Sequence, residues 1–110
     1  MIALDSSVLM DVLSNSPHAE ASESAIRSAM AAGPVVICDV VAAEICSFYD
    51  NSVELMQQLH DLGIAYSPIE EKAALRASEM QRRFRARGGQ RNARNVPDFL
   101  IGAHAMLQCD

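Results

Sequence analysis

The chain has 110 residues, half of them hydrophobic, and a formal net charge of −5. That length supports one domain around one core, and that apolar content excludes a disordered chain. The apolar runs fall short of the roughly 20 residues of a membrane span, and the N-terminus lacks the basic start and cleavage site of a secretory signal, so a cytoplasmic protein without membrane contact is expected.

In chain order, "MIAL" predicts a short strand ending before Asp5, and "SSVLMDVLSN" a helix with Ser6 or Ser7 as its cap. "SPHAEASESAIRSAMAAG" predicts a second helix that starts near Ser16 and Pro17 and stops at Gly33. "PVVIC" reads as a buried strand, with Asp39 capping the helix "VVAAEICSFY" that follows. "SVELMQQLHDLG" repeats apolar residues at helical spacing, and "IAYSPI" reads as a third strand. A long amphipathic helix, "EEKAALRASEMQRRFRARGG", breaks at Gly88 and Gly89, and a last helix opens around Asn95 and Pro97. Strands alternating with helices predict an α/β fold whose parallel sheet is covered on both faces. Cys38, Cys46 and Cys109 sit in apolar surroundings without CxxC spacing, which favours buried thiols over a disulfide frame or a zinc site. Met10, Met30, Met56, Met80 and Met106 read as core fillers, and His104 as a packed or capped histidine rather than a ligand.

Three acids stand out by isolation. Asp5 is the only charged residue among the first ten, Glu44 the only one from Val40 to Tyr49, and Asp98 the only formal charge from Asn95 to Gln108. On a helix, Asp98 shares a stripe with Ile101, Gly102 and Ala105. Burying an ionised carboxylate without a partner costs several kcal/mol, and none of these segments carries a local Lys or Arg. Two readings remain open for each acid. Singly, Asp5 caps a helix, Glu44 reaches solvent, and Asp98 satisfies amides at a helix start. Together, they meet at the carboxyl ends of parallel strands and form an oxygen-rich site suited to Mg²⁺ or Mn²⁺.

The charge distribution is uneven. From Lys72 to Arg94 there are eight bases and one acid, Glu79, whereas the remainder holds thirteen acids and one base, Arg27. Within the basic stretch, Arg82, Arg83, Arg85, Arg87, Arg91 and Arg94 either contact RNA phosphates or an acidic partner, or form a solvated helix face. The run leads directly toward Asp98, which favours binding.

"IALDSSVLMDVL", "VVICDVVAAEI" and "VPDFLIGAHA", in this order, resemble the three acidic motifs of PIN-domain ribonucleases, especially the VapC-type toxins of bacterial toxin-antitoxin pairs. The resemblance runs over essentially the whole chain. It implies a PIN-like three-layer α/β/α fold with a central parallel sheet, as a single domain over residues 1–110. It also implies a Mg²⁺-dependent (or Mn²⁺-dependent) endoribonuclease, with Asp5, Glu44 and Asp98 as the metal-binding and catalytic acids and Ser7 as a supporting polar residue. An RNA substrate, a cognate antitoxin and a homodimer or larger assembly are the partners it implies. PIN domains usually carry a further strand with a fourth acid; this chain stops at Asp110, so the domain is expected to be C-terminally incomplete. The alternative is a catalytically weak PIN-fold protein that acts by binding an antitoxin or nucleic acid.

Overall fold

The structure is a computed structural model, and it describes residues 1–88 and 95–109, Asn95 in its backbone alone. Its elements are β1 (Ile2–Ala3), α1 (Ser6–Leu13), α2 (Ala19–Ala32), β2 (Val35–Ile37), α3 (Asp39–Cys46), α4 (Ser52–Asp61), β3 (Ile64–Tyr66), α5 (Glu71–Ala86) and α6 (Asn95–Gln108). The three strands form a parallel sheet in the order β1-β2-β3. Ile2 pairs with Val35, Val36 with Ala65, and Ile37 with Tyr66. Two further bonds lengthen the ladder: the Leu4 amide donates to the Val36 carbonyl (2.9 Å) and the Ser67 amide to that of Ile37 (2.8 Å).

All three residues of the central strand are buried. Because side chains alternate along a strand, Val35 and Ile37 face one side and Val36 the other, so both faces of the sheet are covered at β2. Val35 and Ile37 join the main core with Leu4, Leu9, Ile26, Val41, Ile45, Leu59 and Ile64. On the opposite face Ala3 is half-buried and Ala65 exposed, so cover on that side fades toward β3. Right-handed crossovers, the rule for parallel units, put α1 to α4 on one face when strands follow in sequential order and leave the second face to α5 and α6. In agreement, α6 touches β1 and packs against α5. Ala73 and Ala77 of α5 meet Ala103 of α6, and the rings of Phe84 and Phe99 stand edge to face at 5.8 Å. Small residues at that contact let the helices approach closely, and the ring pair adds about 1 kcal/mol beyond its burial.

Several local expectations change. Neither Ser6 nor Ser7 caps α1: Asp5 does, because its carboxylate reaches the amides of both Ser7 and Val8. The second helix starts at Ala19 rather than Ser16, since the chain first turns, with the Ala19 amide bonded to the Ser16 carbonyl. Cys38 holds the cap position of α3, and Asp39 lies inside its first turn. Met10, Met30 and Met56 pack on the main core and Met80 on the α5–α6 contact, but Met106 is 60 % exposed. The buried face of α6 runs through Ala103 and His104, which turns position 106 outward. His104 is buried, as its sequence context suggested, and the cysteines are thiols, two buried and Cys46 half-buried. Gly88, at φ 88°, takes a left-handed conformation just past α5; Gly89 lies outside the described residues. No helix among the described residues is long and apolar enough to cross a membrane.

Candidate active site

Asp5 follows the end of β1, where the chain turns from strand to helix. Its Oδ1 accepts three hydrogen bonds: from the Ser7 amide (2.8 Å), the Ser7 hydroxyl (2.6 Å) and the Val8 amide (3.3 Å). One oxygen is thus fully occupied in capping α1, while Oδ2 makes no bond among the described residues. The N-terminal end of α1 adds a favourable field for negative charge. Ser7 therefore fixes the rotamer of Asp5 through both its amide and its hydroxyl.

Asp98 lies in the first turn of α6. It shares with Asp5 a cleft of about 340 Å³, whose other lining residues are Ser6, Ser7, Ile101 and Gly102. Ile101 and Gly102 belong to the stripe that includes Asp98, and that stripe forms one wall. Asp98 is exposed and makes no hydrogen bond or ion pair among the described residues. Among the described residues no Lys or Arg lines the cleft.

Glu44 is exposed on α3 and is not among the residues lining that cleft. Its helix packs against both α1 and α6, with Val41 and Ile45 buried beside it. Among the described residues no group of three His, Cys, Asp or Glu side chains is placed to hold one ion in common. The structure thus brings two of the three lone acids together and leaves the third on a neighbouring helix. Among the described residues the donor set in the cleft is all oxygen, two carboxylates with no competing cation, which fits a small hard divalent ion that keeps several of its waters. Asp5 through Oδ2 and Asp98 are the residues that would hold it.

The basic segment divides. Arg76 and Arg83 both pair with Glu79 (3.2 and 3.1 Å). Arg82, Arg85 and Arg87 are exposed with no ion pair among the described residues, and Arg91 and Arg94 lie outside them. A larger cleft, about 420 Å³, sits at the far end of α1 between Leu13 and the start of α4, with Asp50 and Glu54 on its walls. It lies away from the strand ends where α/β proteins bind ligands, and the motif acids do not reach it.

Two connections were not visible in the sequence. The Asp39 carboxylate accepts from the Ile69 amide (3.3 Å), and His104 Nε2 lies 3.1 Å from the Ser67 hydroxyl. Both join residues more than 29 positions apart, and no local pattern announces them. Burial pushes the Cys38 thiol above its usual value, against the smaller opposing effect of the Val41 and Val40 amides.

Residues 2–109 match the PIN domain family, and the chain belongs to it. PIN domains are generally nucleases that act on nucleic acid with divalent metal ions, and the parallel three-stranded sheet flanked by helices is the architecture expected of one. No curated protein and no solved structure matches the chain.

Proposed function

We propose that this protein is a Mg²⁺-dependent endoribonuclease, the toxin of a toxin-antitoxin pair, in which Asp5, Glu44 and Asp98 hold the metal and Ser7 steadies Asp5. The observation that carries the reading is the cleft lined by two carboxylates far apart in sequence, Asp5 and Asp98, with no cation among its described lining residues. Like charges sharing a site repel, and the arrangement makes sense when a divalent ion joins them.

A divalent ion bound there supplies a Lewis acid and a polarised water for in-line attack on phosphorus. Asp5 offers one oxygen while α1 holds the other, so its direction is set before any ligand arrives. Asp98 approaches from α6 on the other wall. Ser6 lines the cleft beside them, and Arg82, Arg85 and Arg87 on the preceding helix offer phosphate contacts that are blind to sequence. Arg83 joins them when Glu79 releases it, and Arg91 and Arg94 continue the basic run. An antitoxin is the partner suited to cover the acidic cleft with a basic side chain.

One observation favours the alternative of a weakly catalytic binding protein: Glu44 stands outside the cleft. A ribonuclease assay with and without Mg²⁺ separates the two. Asp5→Asn, Glu44→Gln and Asp98→Asn are each expected to lower the rate at least about a hundredfold, since a metal contributes several kcal/mol of charge stabilisation. Cleavage that persists in EDTA, or in all three variants, removes the metal mechanism; a wild type without cleavage that still binds RNA selects the binding protein.

A further inference from the structure

Neither the Asp98 nor the Glu44 carboxylate has a hydrogen-bond partner among the described residues, so where each points depends on how its helix is seated. The short loop after β3, from Ser67 to Glu70, touches both helices and the central strand. The Ser67 amide donates to the Ile37 carbonyl at the end of β2 (2.8 Å), and its hydroxyl meets His104 Nε2 of α6 (3.1 Å). Gln108, one turn beyond His104, donates from Nε2 to the Pro68 carbonyl (2.9 Å) and accepts at Oε1 from the Glu70 amide (2.8 Å). Asp39 in the first turn of α3 accepts from the Ile69 amide (3.3 Å).

Resting on the reading of the acids given above, we propose that this loop is a brace that orients the metal-binding carboxylate of α6, with His104 the positioning residue for Asp98. His104 is the buried polar side chain of the described core, 1 % exposed, in a helix contact otherwise made by alanines and other apolar residues. A buried imidazole is a poor choice for packing alone, because any unpaired ring nitrogen costs free energy. Its use is directional. Six residues separate it from Asp98, about 9 Å along the helix axis, so it never touches the cleft. Together with Gln108 on the same face it fixes the rotation of α6 about its own axis and its height along the sheet. A change in either swings Asp98 away from Asp5. Asp39 ties the first turn of α3 to the same loop that holds α6.

The test measures Mn²⁺ affinity by isothermal titration calorimetry on the full chain, in parallel with far-UV circular dichroism and thermal melting to establish that each variant is folded at the working temperature. Folded His104→Leu and Ser67→Ala are each expected to bind Mn²⁺ about tenfold more weakly, as is usual when a residue that orients a ligand is lost. His104→Gln, whose side-chain amide can still reach the Ser67 hydroxyl, is expected to bind like the wild type. A side chain that served packing alone would lower the melting temperature in all three and leave the affinity of the folded protein unchanged. Wild-type affinity in Ser67→Ala and in folded His104→Leu overturns the brace; should His104→Leu not fold, Ser67→Ala alone decides. A wild type that binds no Mn²⁺ overturns instead the metal reading on which the brace depends, a result no variant can imitate.

Discussion

Asp5 caps α1 through one oxygen and lines the acidic cleft as well, and substitution separates the two roles. Asparagine caps a helix about as well as aspartate, so Asp5→Asn is expected to keep the wild-type urea midpoint and lose metal-dependent cleavage. Asp5→Ala loses both, with a stability cost of about 1 kcal/mol. Asp98 differs, because it makes no bond among the described residues and shares the cleft with a like charge. Without metal, Asp98→Asn is expected to melt at or above the wild-type temperature, and a lower melting temperature argues for a hidden structural role. Cys38 gives a pH signature. Its folded pKa is raised, so its contribution to stability is intact below the unfolded thiol value of about 8.5 and falls as pH rises from there toward the folded value. Urea unfolding followed through that alkaline range should show a loss that is smaller in Cys38→Ala.

At the scale of elements, Gly102 of α6 allows a clean test. Among the described residues a Cβ there meets only the flexible end of Met80, at 3.8 Å, so Gly102→Ala is expected to stabilise the helix by about 0.5–1 kcal/mol in urea unfolding. On α5, Arg82→Glu and Arg85→Glu are expected to weaken RNA binding, and each arginine–phosphate pairing removed should flatten the salt slope by about 0.7 for single strands, whereas Arg76→Ala, already engaged by Glu79, should do little. Which elements form was legible because the apolar run "VVI" and the helical spacing of Leu55 and Leu59 are local signals that the fold obeys. Which way a helix turns was not. In "VVAAEIC" apolar residues surround Glu44 on nearly every side, and only the burial of Val41 and Ile45 reveals that position 44 faces solvent. Charge isolation singled out Asp5 and Asp98, which share one cleft, although both are exposed rather than buried at a cost. It could not find Asp39, whose partner is a backbone amide 30 residues away.

For the whole molecule, a metal ion held in the acidic cleft would be linked to folding. An ion that binds the folded chain and not the unfolded one adds about 2.7 kcal/mol at a hundred times its Kd, so Mn²⁺ is expected to raise the wild-type melting temperature and EDTA to lower it. The double variant Asp5→Asn/Asp98→Asn should show neither shift. The strands lie side by side in the order in which they are synthesised, while α6, the last of the described helices, carries Asp98 back to Asp5. On the ribosome the sheet and its first four helices can therefore assemble while one half of the cleft is still inside the exit tunnel. A nascent chain is then shaped before the two walls of its acidic cleft meet.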